Sequence, residues 1–225
     1  MRRQILIILL TTLIASISCS KDKDVQTKPL ESQLLEATKK NNAEMVRALL
    51  KQKVKIDEKD SQGRTALLIA TRNNDVEIAK LLIEAGADVN IQDQIQDSPL
   101  LYAGAEGRLE ILKMILKSKP NFKIYNRFGG TALIPAAEKG HVEVVKELVK
   151  TPIDINHVNN LGWTALMEAV VLSDGGPVHQ QIIQILVDAG ANVNIPDRDK
   201  VTALTHAKKK GFKEIVAILE KAGAR

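Results

Sequence analysis

Thr65-Ala66-Leu67 returns along the chain as Ser98-Pro99-Leu100, Thr131-Ala132-Leu133, Thr164-Ala165-Leu166 and Thr202-Ala203-Leu204, at steps of 33, 33, 33 and 38 residues. Five residues after each Thr or Ser stands an alanine: Ala70, Ala103, Ala136, Ala169 and Ala207. A degenerate copy precedes them, with Ser32 and Leu34 ahead of Ala37, which lies 33 residues before Ala70. Eight residues beyond each alanine comes an apolar residue (Met45, Ile78, Ile111, Val144, Ile215), and Ile182 follows Ala169 after five extra residues. Four positions further lie Leu49, Leu82, Ile115, Leu148, Leu186 and Leu219. Apolar residues at i and i+4 share one helix face, and a fixed period of this length marks a stacked repeat array.

The residues between the apolar stretches agree with that period. Gly107, Gly140 and Gly211, with Asn41 and Asn74, fall where the first helix of each copy must end in a left-handed conformation. Gly86 and Gly190 end the second stretch in the same way. Asp60, Asp93, Asn126, Asn159 and Asp197 then open a turn in which a short acceptor side chain closes local hydrogen bonds. Each copy therefore reads turn, helix, tight turn, helix, loop. One such helix pair cannot bury its own apolar face, and stacking makes a continuous core with polar end caps such as Lys39-Lys40-Asn41-Asn42 and Lys208-Lys209-Lys210.

These motifs resemble the ankyrin repeat, whose 33-residue length and T-P-L-H-x-A signature they match over residues 32–225. The resemblance implies an all-α solenoid of about six stacked helix-turn-helix repeats with β-turn or hairpin loops, near 32–59, 60–92, 93–125, 126–158, 159–196 and 197–225. The signature His is replaced by Leu68, Leu101, Ile134, Met167 and Thr205. Lys119 and Pro152 stand where Gly86 stands in its copy, and Pro cannot take a positive φ, so the second helix before Pro152 must end differently.

The N-terminus reads as an address. Met1-Arg2-Arg3 precedes an apolar run from Ile5 to Ile14, then Ala15-Ser16-Ile17-Ser18-Cys19 and the polar Ser20-Lys21-Asp22-Lys23-Asp24. A charged start, a short apolar run and small residues before a break describe a secretory signal, too short to span a bilayer. The only Cys, directly after a small residue, resembles the lipobox of bacterial lipoproteins. That resemblance implies a signal over 1–18, a diacylated Cys19 heading a flexible tether over 19–29, and a folded domain over 30–225. It also places the chain in the bacterial envelope, lipid-anchored, and Ser20 after the Cys fits outer-membrane delivery. An ordinary secreted protein with an incidental Cys is the alternative.

Composition bounds the rest. The 225 residues are 44% hydrophobic, 26% charged and only 3% aromatic, so aliphatics and Ala must build the core. One Cys allows no internal disulfide. The net charge of +5 falls to +3 once Arg2 and Arg3 leave with the signal, which gives no reason to invoke nucleic acid. The four His (His141, His157, His179, His206) show no metal-ligand spacing, and no phosphate loop or catalytic constellation emerges. The sequence reads as a monomeric binding module with no catalytic role and no cofactor, the alternatives being a structural spacer or a small-molecule-binding or catalytic envelope protein.

The positions that the repeat leaves free carry the functional signal. In the ankyrin family, turn tips and the ends of the first helices bind protein partners on the concave side. At those positions the first two full copies and the last are mostly polar, apart from Ile95, Pro196 and Val201, whereas the turns between carry Tyr125, Arg127, Phe128, Val158, Leu161 and Trp163. Val171 and Leu172, at the end of the adjacent first helix, replace the Arg, Lys and Asn of other copies. Aromatic residues beside Arg have the composition of an interface hot spot. The partner-binding set is thus Ile95, Tyr125, Arg127, Phe128, Val158, Leu161, Trp163, Val171 and Leu172, unless Phe128 and Leu161 merely pack between hairpins. The five-residue insertion within Ser173–His179 lies beside this set and either joins it or is neutral.

Overall fold

The computed structural model describes residues 28–225. Among them are twelve α-helices and no strand: α1 Leu30–Lys39, α2 Ala43–Leu50, α3 Ala66–Asn73, α4 Val76–Glu84, α5 Pro99–Ala105, α6 Leu109–Lys117, α7 Leu133–Glu138, α8 Val142–Leu148, α9 Ala165–Val171, α10 Pro177–Asp188, α11 Ala203–Lys210 and α12 Lys213–Lys221. Odd-numbered helices pack side by side in one layer and even-numbered helices in a second, each pair forming one repeat. The predicted solenoid is therefore present.

The repeated residues build it by simple chemistry. Thr65, Ser98, Thr164 and Thr202 cap their helices, each side-chain oxygen accepting the backbone N–H three residues on at 3.2–3.3 Å. The residues at the two helix registers read from the sequence are buried: Ile78, Ile111, Ile182, Ile215, Leu82, Ile115, Leu148, Leu186 and Leu219 are all 0% exposed. Met45, in the degenerate first copy, is the exception at 46%. Asn41 and Asn74 take left-handed backbone conformations, φ 55° and 56°, as their places in the pattern require. Lys119 keeps the left-handed turn of Gly86 at φ 53°, while Thr151 closes the end before Pro152 by donating from Oγ1 to the Leu148 carbonyl at 2.6 Å.

The first helix of the fourth repeat departs from its neighbours. Ile69, Tyr102, Glu168 and His206 donate their N–H to the carbonyl of the capping residue, but Pro135 at the same register has no N–H. The Thr131 hydroxyl is buried and has no hydrogen-bond partner among the described residues, and α7 is only 6 residues long.

The insertion enlarges the scaffold rather than the groove. α10 reaches 12 residues by starting at Pro177, and the rest lengthens the turn after α9. His179 then does for α7 what His141 does for α5. The His179 ring nitrogen lies 2.9 Å from the Glu138 carbonyl, and that of His141 lies 3.2 Å from the Ala105 carbonyl.

Candidate partner-binding groove

Each interhelical loop ends in the hairpin that the sequence pattern implies. Asn126 Oδ1 accepts the N–H groups of Phe128 and Gly130 at 2.9 Å, and Asn159 Oδ1 accepts those of Leu161 and Trp163 at 2.9 and 3.0 Å. Asp60, Asp93 and Asp197 do the same in their repeats. Successive hairpins are tied edge to edge, with the Asn160 N–H donating to the Phe128 carbonyl at 2.8 Å and the Gln94 N–H to the Gln62 carbonyl at 3.1 Å. The tips are thereby held out from the helix layer, and Phe128 and Leu161 remain 49% and 50% exposed. They do not tuck between hairpins.

Behind these tips lies a cavity of about 390 Å³, floored by α5, α7 and α9. Its lining brings together four of the nine residues singled out from the sequence: Arg127, Phe128, Leu161 and Leu172. The other five fall elsewhere. Ile95 and Val158 are exposed on hairpins but do not line the cavity. Tyr125 is 38% exposed and stacks on His157, ring centroids 4.4 Å apart. Trp163 and Val171 are partly buried, packed against the hydrophobic core, and neither lines the cavity. Trp163 is on the returning arm of its hairpin, where its carbonyl accepts the Asn159 N–H at 3.0 Å. Ser173–His179 contributes no side chain to the cavity. Cys19 lies outside the described residues.

Sequence reading missed the polar half of the groove. Asp97, Glu106, Glu138, Lys139 and Glu168 all line it. Glu168 stands on the register otherwise filled by Ile69, Tyr102, Pro135 and His206, so a comparison of that column would have flagged a lone acid. It is 5% exposed, and Asn159 Nδ2 donates to its Oε1 at 2.8 Å. Burial, helped by the nearby Glu138 carboxylate, raises the Glu168 carboxyl to about 7. Burial and Asp93 likewise push Asp97 up, against the Arg72 guanidinium 3.4 Å away. At the first hairpin, burial is outweighed at Asp60, where Arg64 and Lys39 hold the carboxyl well below its usual range.

The arrangement suits binding by shape and charge. Among the described residues no group of three or more His, Cys, Asp or Glu could hold a metal ion, and no helix is long and apolar enough to cross a membrane.

Comparisons agree with this architecture. A family model described as ankyrin repeats (3 copies) matches residues 8–93 and 100–197. An ankyrin repeat domain from Acinetobacter baumannii AYE is 52% identical, with a TM-score of 0.84, covering 85% of this chain and 98% of that one. The ankyrin repeat protein EF0377 is 46% identical with a TM-score of 0.83 over the same shares. The ankyrin repeat domain of Bcl-3, of the IκB family, is 25% identical with a TM-score of 0.77 over 86% of each chain. The ankyrin repeat protein YahD of Escherichia coli K12 is 43% identical over 58 residues, which span 26% of this chain and only 29% of YahD. Ankyrin repeats are a general protein-interaction fold. With its period, its paired helix layers and these matches, the chain belongs to the ankyrin repeat family.

Proposed function

We propose that this chain is a membrane-anchored capture module of the bacterial envelope, which binds a protein partner and catalyses nothing itself. The observation that carries the reading is the cavity of about 390 Å³ lined by Phe128, Leu161 and Leu172, three large apolar side chains left about half exposed and brought together at one site. A contiguous apolar patch with Arg127 at its rim has interface composition. The chain acts as a monomer, and Cys19, diacylated after removal of residues 1–18, holds it at the outer membrane through the 19–29 tether.

Two experiments test this. The tagged full-length chain, used as bait in envelope extract, retains a protein that the Phe128→Ala/Leu161→Ala variant loses. Retention by both moves the site off the groove, and no retained protein favours a structural spacer. In cell fractionation, Cys19→Ala shifts the protein from membrane to soluble fraction, and continued membrane retention removes the lipid anchor from the proposal.

A further inference from the structure

The groove holds more acid than base, and the surplus is local. Asp97 is answered by Arg72, and Glu106 by Lys139 at 2.6 Å. Arg127 stacks over Phe128, its guanidinium carbon 4.7 Å from the ring centroid. Glu138 and Glu168 have no cationic partner among the described residues. The whole chain carries a net charge of +5, so this acidity does not follow from composition.

Glu168 points to what is missing. Only 5% exposed, it accepts one hydrogen bond on Oε1 from Asn159. No hydrogen bond reaches its Oε2 among the described residues, and Glu168 is part of the cavity lining. Ionising Glu168 there without a counter-charge is costly, and the second carboxylate beside it adds to the cost, so the group holds its proton up to about pH 7 until a cation replaces it. A cation entering between Glu138 and Glu168 relieves both. Two carboxylates beside an apolar wall suit an organic cation, which brings its own apolar stem, better than a hydrated metal ion. The same cavity carries the apolar side chains of Phe128, Leu161 and Leu172. An arginine side chain has the complementary form, an aliphatic stem ending in a planar head with five donors that can engage carboxylates in pairs.

We infer that the groove takes an arginine side chain presented by the protein partner, its stem against Phe128, Leu161 and Leu172 and its guanidinium on Glu168 and Glu138. This rests on the groove being the capture face, and the test separates the two. A phage-displayed library of random linear peptides is selected on the full chain, and the selected peptides are measured again on three variants. Phe128→Ala/Leu161→Ala reports whether a peptide occupies the groove. Glu168→Gln and Glu138→Gln report the charge, and Glu138, only half-buried, can be changed with little risk to folding.

Groove-dependent peptides share an arginine whose replacement by citrulline weakens binding about tenfold or more, as does Glu168→Gln, with a smaller loss for Glu138→Gln. Groove-dependent peptides that lack a cation, or ignore both Gln variants, overturn the arginine inference and leave the capture face standing. Peptides that use lysine equally well, or displacement by spermidine but not by a blocked arginine amide, also overturn it. Peptides indifferent to Phe128→Ala/Leu161→Ala, or no binder at all, overturn both.

Discussion

Asn159 and Glu168 form a bridge from hairpin to helix: the amide Oδ1 holds the turn, while Nδ2 donates to the buried carboxyl at 2.8 Å. One repeat further on, the same two registers carry Asp197 and His206, with the carboxylate on the turn and the ring nitrogen on the helix 2.7 Å from it. The polarity of the bridge is reversed between adjacent repeats. Only the Asn159 version leaves a carboxyl on the groove floor.

Asn159→Asp is the sharpest probe of that bridge. Asp serves the turn equally well at residues 60, 93 and 197, so the hairpin survives the change. The lost donor and the new like charge beside Glu168 cost about 1–3 kcal/mol near neutral pH and less in acid. Adding Glu168→Gln restores a donor and recovers most of the loss. Urea denaturation of the two variants measures it, and a double variant no more stable than the single one refutes the account.

Stability also depends on pH through Glu168. Unfolded, its carboxyl ionises near the ordinary 4.5; folded, at about 7. The folded chain keeps a proton that the unfolded chain releases, so this contribution is complete below about pH 4.5 and is lost as the pH rises through about 7. The difference is on the order of 3 kcal/mol. Glu168→Gln removes the dependence and exceeds the native chain in stability above neutrality. Denaturation midpoints taken from about pH 5 to about pH 8 follow this. A constant gap between the two proteins across that range would count against it.

Gly104 marks a close helix approach. A Cβ there would sit 2.8 Å from both the Cβ and the carbonyl oxygen of Ala132. Gly104→Ala gains about 1 kcal/mol of helix propensity but must part α5 from α7, at a cost of about 1–3 kcal/mol. The net effect is a lower melting temperature by calorimetry, whereas an unchanged or higher value would mean that the two helices move apart freely.

Groove and core separate by truncation. Phe128→Ala and Leu161→Ala, at exposed tips, change stability by no more than about 0.5 kcal/mol each. Trp163→Ala, partly buried against the core, costs more, about 1–2 kcal/mol. Thermal melts of the three variants give the comparison. A Trp163 variant as stable as the Phe128 one would return Trp163 to the surface.

The period made the scaffold legible. Caps, helix registers and hairpin acceptors all follow from residues that recur at one spacing, because each role is local in the chain. The groove was half legible. Phe128 and Leu161 stand out because a turn tip offers an apolar side chain nothing to pack on. Trp163, two residues beyond such a tip, is less exposed because it packs partly against the core, which its place in the period does not show. Glu168 escapes notice because its depth comes from stacking against neighbouring repeats, and no single copy displays that.

The absent N–H of Pro135 has a consequence for how the solenoid comes apart. In a linear array, stability is shared between each unit and its interfaces, and the array parts where a unit is weakest. α7, short and starting beside an unsatisfied Thr131 hydroxyl, is the natural seam. The groove straddles it, drawing walls from α5, α7 and α9 alike. A bound partner therefore acts as a clasp across the weakest joint, and occupancy is readable in the midpoint of unfolding as well as in binding.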